Sequence, residues 1–356
     1  MLDFEALNQQ IALPDSAAEA AARAHWDGIA KPLNGLGQLE EMITRIAALT
    51  GRPQVEVRRR AVVVFCADNG VVAEGVTQTD ASVTATMAGQ IRDHRSSVCR
   101  MAAAANAEVF AADMGMLTRV PGVPGCHIAD GTGNIALGPA MSREEACRAI
   151  THGIELAKKY AEDGYSLLAT GEMGIGNTTT SSALAAVLLD MPVEAVTGRG
   201  AGLSDAGLLR KQDAIRRAIA VNRPDAADPL DVLAKLGGFD IAGMAGLFLG
   251  GALYRVPVVI DGLISSISAL IAARLCPRSR CAMLASHTSA EPAAARILEE
   301  LGQTAILRAG MKLGEGTGAV CLFPLLDMAL SVYNSGAAFS DTGIAQYEPQ
   351  GGGARC

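Results

Sequence analysis

Aromatic and charged residues are scarce in this sequence of 356 residues, at 4% and 19% of the total. Hydrophobic residues make up 50%, so Ala, Val, Ile and Leu must fill a large core, and 39 glycines allow its elements to approach closely. Basic residues are not in excess, because the formal net charge is −7. This argues against nucleic acid as a partner, since phosphate backbones attract basic surfaces. A local anion site at a helix N-terminus stays compatible with this charge.

Signals for export, membrane insertion and metal binding are also missing. The first five residues are acidic and mixed, and the longest apolar stretches, residues 241–254 and 256–273, are short for a membrane span. The eight cysteines contain no CxxC pair and the five histidines no HExxH pattern. We therefore expect reduced, buried thiols and no metal site. The prediction is a cytoplasmic protein without a membrane partner.

Five apolar runs have the composition of strands buried on both faces. They are residues 61–68, 107–112, 166–170, 256–260 and 282–285. Helical patterns lie between them, and this alternation predicts an α/β fold with a parallel sheet and right-handed crossovers. We expect a large α/β domain over residues 31–312. Residues 1–30 and 313–356 would form a small helical subdomain over the cleft, with a disordered tail from residue 350.

Some helix starts and helix faces can be predicted in detail. Ser16 and Ser142 each stand three residues before a Glu, which is the spacing of a capping box at a helix N-terminus. Three glycines about one turn apart predict a helix face against which another backbone packs closely, and these are Gly243, Gly246 and Gly250.

Polar residues stand where the predicted strands end. They are Asp68, Glu172, Asp261, Ser286 and His287. In open parallel sheets, ligands bind outside the carboxyl ends of the strands, so these side chains predict one shared cleft. Turns favour Asp and Gly for structural reasons alone, and this could account for one or two of them.

Two glycine-rich loops, residues 171–180 and 198–205, resemble phosphate cradles. In the first, Gly174 and Gly176 free backbone amides, and Asn177 with three threonines opens a helix. The loop matches neither GxGxxG nor the P-loop, which requires a Lys. Each loop predicts an anion site, and a plain helix-capping turn is the alternative for each.

One carboxylate has an unusual setting: Glu315 lies between Gly314 and Gly316, with Lys312 upstream and an apolar run downstream. Such a group is a candidate for a partly desolvated general base. The alternative is a Glu that faces water from a glycine-rich turn.

Four motifs together carry a family resemblance, at residues 67–76, 171–179, 286–291 and 313–318. Through their order and spacing, the chain resembles the nicotinate-nucleotide:dimethylbenzimidazole phosphoribosyltransferases of cobamide lower-ligand synthesis, over nearly its whole length. The resemblance implies a Rossmann-like three-layer sheet with helices on both faces, a small helical domain and a homodimer. The implied reaction moves phosphoribose from nicotinate mononucleotide to a benzimidazole nitrogen, with inversion at C1′ and without a cofactor or metal.

The resemblance also implies roles for individual residues. Glu315 would be the general base, and Glu172 would project into the cleft beside it. The residues implied to hold phosphoribose and nicotinate are Gly174, Gly176, Asn177, Thr178, Thr179, Gly200, Gly202, Lys211, Asp261, Gly262, Ser289, Lys312, Leu313 and Gly314. Which of the two lysines serves the phosphate and which the nicotinate carboxylate stays open. The implied pocket for the acceptor base contains Asp68, Asn69, Thr77 and Thr86.

The departures from the family pattern lie in that acceptor pocket. Asn69 stands where many members have His, and residues 77–80 lack an aromatic residue and a Pro found in many members. The acceptor could therefore be dimethylbenzimidazole, another benzimidazole, adenine or a phenol. A nucleotide-binding dehydrogenase and a non-catalytic nucleotide sensor are the rival functions.

Overall fold

A five-stranded parallel sheet forms the centre of the computed structural model, which describes residues 2–348. The strands are β1 (Arg60–Ala67), β2 (Glu108–Gly115), β3 (Leu167–Met173), β4 (Val258–Ile260) and β5 (Met283–Ala285). Their order across the sheet is β2-β1-β3-β4-β5, and every neighbouring pair is parallel. All five predicted runs are confirmed as strands. β3 is longer than predicted because Glu172 still pairs with Phe65 of β1.

Helices lie between and around the strands. They are α1 (Phe4–Gln10), α2 (Ser16–Gly28), α3 (Gln38–Thr50), α4 (Ser82–Arg92), α5 (Ser97–Ala104), α6 (Arg143–Glu162), α7 (Asn177–Leu188), α8 (Val193–Val196), α9 (Asp205–Asn222), α10 (Pro229–Leu236), α11 (Phe239–Leu253), α12 (Leu263–Leu275), α13 (Ala294–Leu301), α14 (Thr317–Ser335) and α15 (Phe339–Thr342). Short 3-10 turns cover Gly70–Glu74 and Pro277–Ala282.

The two predicted capping boxes have different outcomes. Ser142 and Glu145 exchange hydrogen bonds at the start of α6, as predicted. The N-terminal prediction is wrong in detail, because Asp15 is the cap and accepts from the Ala18 amide at 2.8 Å, while Ser16 is already helical. The N-terminal region forms two helices, and the break between them contains Pro14, whose nitrogen cannot donate to a helix.

Side chains of the central strand alternate between two hydrophobic clusters, one on each face of the sheet. Val63 and Phe65 point to a cluster built with α6, α7, α10, α11 and α12. Val62 and Val64 point to a second cluster built with α2, α3, α5 and α14. Strands buried on both faces and covered by helices form a three-layer α/β fold, so the predicted fold class is confirmed.

The two ends of the described chain meet. Ile29 and Ala338 form an antiparallel bridge, and the amide of Ala30 donates to the carbonyl of Ala337 at 2.8 Å. Helices α2 and α14 also belong to the same hydrophobic cluster as the sheet. The division into a large domain and a terminal subdomain stays a prediction. The predicted disordered tail from residue 350 lies outside the described residues.

The cysteines and the long apolar segments differ in part from the sequence predictions. The seven cysteines among residues 2–348 are free, but Cys126, Cys281 and Cys321 are only half-buried. The search for long apolar stretches missed α14, which is the one described helix long and apolar enough to cross a membrane. It contains Pro324, and 56% of its apolar window is buried inside the protein.

Helices α6 and α11 pack with their backbones in close contact. A Cβ added at Gly246 would overlap the carbonyl oxygen of Ile150, and one added at Gly250 would lie 2.5 Å from the Cβ of Ala157. Gly243 faces the sheet, where a Cβ would lie 2.6 Å from the Phe65 ring. The predicted close-packing face is therefore confirmed, and it seats α11 on the sheet beside the first glycine-rich loop.

Replacing Gly246 with Ala is expected to lower the free energy of unfolding by about 1–3 kcal/mol, because overpacking forces two backbones apart. Gly28, near the end of α2, has nothing within 4 Å of an added Cβ. Gly28→Ala is therefore the matched control, and we expect it to be neutral or slightly stabilising. Urea unfolding of the three proteins measures both effects. Equal stability of Gly246→Ala and the parent would contradict the backbone contact.

Candidate active site

A cavity of about 190 Å³ opens at the carboxyl ends of β3, β4 and β5. Glu172, Asp261 and His287 from these three strand ends line it. Both glycine-rich loops contribute to its wall, and residues 311–314 close another side. Three of the predicted strand ends thus share one cleft, at the edge where parallel sheets bind ligands.

Glu172 is a buried carboxylate of the cavity wall. It is 8% exposed, and Asn177 donates to its Oε2. The backbone amide of Glu315 also donates to this carboxylate. Burial raises the pKa of Glu172 well above its usual value, against the opposing Asn177 hydrogen bond, and the nearby Asp240 and Asp261 raise it further.

Asp261 fixes the start of α14. Its Oδ1 accepts from the Ala319 amide at 3.0 Å and its Oδ2 from the Gly316 amide at 3.3 Å. The ring of His287 lies beside it, with Nδ1 3.9 Å from the same Oδ1. Burial raises the pKa of Asp261, and His287 opposes that shift. Asp261 therefore connects the β4 end to the loop that carries Glu315.

A lysine stands directly behind the wall made by the two glycine-rich loops. The ammonium of Lys211 donates to Thr178 Oγ1 at 2.9 Å and to the Gly198 carbonyl at 3.1 Å, and the residue is fully buried. Glu291 lies nearby and accepts from the Gly200 amide at 3.1 Å. Burial lowers the pKa of Lys211 to about 8, although Glu291 raises it. A buried ammonium group beside the N-terminus of α7 is the chemistry of an anion site.

Glu315 occupies a left-handed backbone conformation, at φ 60°, between two glycines that also have positive φ. Its side chain points away from Glu172 towards the N-terminus of α5, where its Oε2 accepts from the Val98 amide at 3.3 Å and Ser96 donates to the carboxylate. It is 5% exposed. Burial raises the pKa of Glu315, while the bonds from Val98 and Ser96 oppose the shift. Glu315 is therefore a buried carboxylate, as expected for a desolvated base, and does not face water.

The structure sorts the sequence-predicted residues by position. Those that line the cavity are Thr77, Glu172, Gly174, Gly176, Asn177, Thr178, Gly200, Asp261, Gly262, Ser289, Lys312, Leu313 and Gly314. Thr179 is buried below the first loop. Gly202 lies in the second loop, where its carbonyl accepts from Gln78. Lys211 and Glu315 stand behind the wall, as described above.

Three residues of the predicted acceptor pocket lie away from this cavity. Asp68 is buried and accepts from the Leu117 amide at 2.8 Å, and Asn69 is buried against Gly174. Thr86 is exposed on α4 and donates to the carbonyl of Ser82, one turn earlier. The structure therefore does not bring Thr86 to the cleft, because it lies on the solvent face of its helix.

Sequence reasoning missed Ser96, Arg199 and Asp240. Ser96 caps α5, Arg199 lines the cavity, and Asp240 receives a hydrogen bond from Asn177. Asp240 had a readable signal, since it is the one charged residue in the apolar α11. The role of Ser96 could not be read locally, because its partner lies more than 200 residues along the chain.

Comparisons with known proteins show the family of this chain. A family model described as phosphoribosyltransferase matches residues 11–344. The nicotinate-nucleotide–dimethylbenzimidazole phosphoribosyltransferase of Ruminiclostridium cellulolyticum is 44% identical over 330 residues, covering 92% of this chain and 94% of the relative. Its namesake from Desulforudis audaxviator is 45% identical over 335 residues, covering 93% and 95%. The crystal structure of CobT from Thermus thermophilus matches with a TM-score of 0.88 and 41% identity, covering 93% of this chain and 100% of that one.

Proposed function

Because this chain belongs to the phosphoribosyltransferase family, we propose that it transfers 5-phosphoribose from nicotinate mononucleotide to 5,6-dimethylbenzimidazole. The products are α-ribazole 5′-phosphate and free nicotinate. The observation that carries the proposal is the cavity at the ends of β3 and β4. It combines an anion cradle backed by Lys211 with carboxylates at Glu172 and Asp261. An anionic sugar phosphate matches the positive charge behind the cradle, and the carboxyl groups of the wall can hydrogen-bond to the ribose.

The reaction is a displacement at C1′. The bond from C1′ to the pyridinium nitrogen breaks, and its electron pair stays on that nitrogen, so a neutral pyridine ring departs as the nicotinate anion. A benzimidazole nitrogen attacks from the opposite face, so C1′ inverts. The acceptor must also lose its ring N–H proton, and Glu315 is the proposed general base, because it is a buried carboxylate on the loop that touches Glu172.

Binding roles follow from position. Lys211, with Thr178 and the N-terminus of α7, would hold the phosphate, because its ammonium lies behind both loops and contacts Thr178. Lys312, on the rim, would meet the nicotinate carboxylate. Thr77 remains the proposed acceptor contact among the four predicted residues. The protein would work in the cytoplasm, and its free cysteines are compatible with a reducing compartment. It would act as a homodimer, which sedimentation of the purified protein can check.

A competition assay tests the reaction and the acceptor together. The protein receives nicotinate mononucleotide with equal amounts of dimethylbenzimidazole, 5-methoxybenzimidazole, adenine and p-cresol, and mass spectrometry separates the α-ribotides. We expect the dimethylbenzimidazole product to dominate. If adenine or cresol products dominate, the protein is still a transferase but its acceptor is a different base or a phenol. Binding of the mononucleotide without any product would overturn the transferase and support a nucleotide sensor.

A further inference from the structure

Asp240 is a buried carboxylate that the proposed reaction does not use. It is the second residue of α11, it is 0% exposed, and it does not line the cavity. Asn177 donates to Asp240 Oδ2 at 2.9 Å through the same amide nitrogen that donates to Glu172. One amide therefore joins a carboxylate of the cavity wall to one behind it.

The hydrogen bonds of Asp240 do not by themselves require an acid. Its Oδ1 and the Oδ1 of Asn69 are both buried and have no hydrogen-bond donor among residues 2–348. A Cβ added at Gly238 would contact both oxygens, so the two side chains lie close together. Turning the Asn69 amide would let its Nδ2 donate to Asp240, and an Asn at position 240 could likewise accept from Asn177 and donate to Asn69. Folding therefore accommodates an acid or an amide at position 240, and the acid needs another reason.

That reason is found in the groups around Glu172. The titratable groups that face it are Asp240 on α11, Asp261 at the β4 end with His287 behind it, and the thiol of Cys66 on β1. Glu315 meets it only through a backbone amide. Two buried carboxylates that share one amide nitrogen and have no cation between them cannot both keep their charge at low cost.

We propose that Asp240 is a positioning residue that acts through Asn177 to orient Glu172 and to keep Glu172 protonated at neutral pH. Asp240 holds the negative charge of the pair because two backbone amides at the start of α11 donate to it in addition to Asn177, whereas Glu172 receives one backbone amide. Burial raises the pKa of Asp240 to about 6, so its carboxylate is charged at neutral pH. Protonated Glu172 then offers the substrate a hydrogen-bond donor. This role of Glu172 rests on the proposed function, in which its O–H group donates to an oxygen of the phosphoribose.

The test is an infrared titration of the carbonyl band of protonated carboxylic acids, assigned to Glu172 by its loss in Glu172→Gln. In the parent protein this band is expected at neutral pH. As pH is raised, the band should disappear in Asp240→Asn at a pH about one unit or more below that of the parent, because the neighbouring negative charge is gone. The same variant should unfold at about the same temperature as the parent, since either residue at position 240 can pair with Asn69 and Asn177. Asp213→Asn removes an exposed carboxylate on α9 and should move neither quantity.

The outcomes separate this inference from the proposed reaction. The inference is wrong if the parent shows no Glu172 band at neutral pH. It is also wrong if the pH at which the band disappears is the same in Asp240→Asn as in the parent. Both results count whether or not the enzyme is active. Should Asp240→Asn fail to fold, Asp240→Ser removes the same charge while keeping a donor and an acceptor, and the same shift is expected. For binding, calorimetry should show the affinity for nicotinate mononucleotide falling at a lower pH in Asp240→Asn than in the parent. If the parent protein gives no product in the competition assay but the band still shifts in Asp240→Asn, the proposed reaction is wrong and the protonation of Glu172 is still supported.

Discussion

Glu315→Gln is expected to lower kcat by about 10²- to 10⁴-fold, which is what a general base typically contributes. The KM for nicotinate mononucleotide should stay within about twofold, because the Glu315 side chain points away from the mononucleotide cavity towards α5. Gln keeps the acceptor for the Val98 amide and fits the same left-handed backbone between two glycines. Steady-state kinetics with both substrates varied measure the two constants.

The pH profile adds an independent signature of the base. A base must be deprotonated to act, so parent activity should fall as pH falls through the pKa of Glu315, which burial places above that of an ordinary Glu. This acidic limb should be lost in Glu315→Gln. Glu299→Gln, on the exposed face of α13, is the control and should keep the parent profile. Full activity in Glu315→Gln would show that another group takes the proton.

Lys211→Met is expected to weaken the binding of nicotinate mononucleotide by about 10- to 150-fold, the equivalent of one charge-assisted hydrogen bond of about 1.5–3 kcal/mol. Lys211 is fully buried, and its ammonium contacts Thr178, which lines the cavity. Met has a similar length and no charge. Isothermal titration calorimetry measures the dissociation constant, and Lys235→Met, which removes a lysine paired with Asp231 on α10, is the matched control.

Two further measurements separate the charge of Lys211 from its packing. The pKa of Lys211 is lowered to about 8, so parent affinity should fall as pH rises through about 8, and Lys211→Met should lack this slope. The substitution also leaves Glu291 without its cation. Adding Glu291→Gln should therefore restore thermal stability without restoring affinity. Unchanged affinity in Lys211→Met would place the phosphate elsewhere.

Local patterns predicted the parts of this protein that depend on near neighbours in sequence. The strand around Val63 is apolar from Ala61 to Ala67 because helices cover both faces of the sheet. Gly246 and Gly250 repeat at helical spacing because α6 lies against them. Glu172 and Asp261 follow apolar runs, and parallel strands bring such ends to one edge. The family motifs added the role of Glu315, which spacing alone did not specify.

Sequence patterns predicted the α/β architecture and the edge of the sheet that holds the cleft, and the family resemblance added many of the residues that line it. The positions of Lys211 behind the wall, of Glu315 against α5 and of Thr86 in solvent depend on tertiary packing. It also joined Asp240 to Glu172 through Asn177. The physical reason is that side-chain direction and charge coupling depend on helices packed from distant parts of the chain. Sequence periodicity records which face of an element is buried, but not which group it meets there.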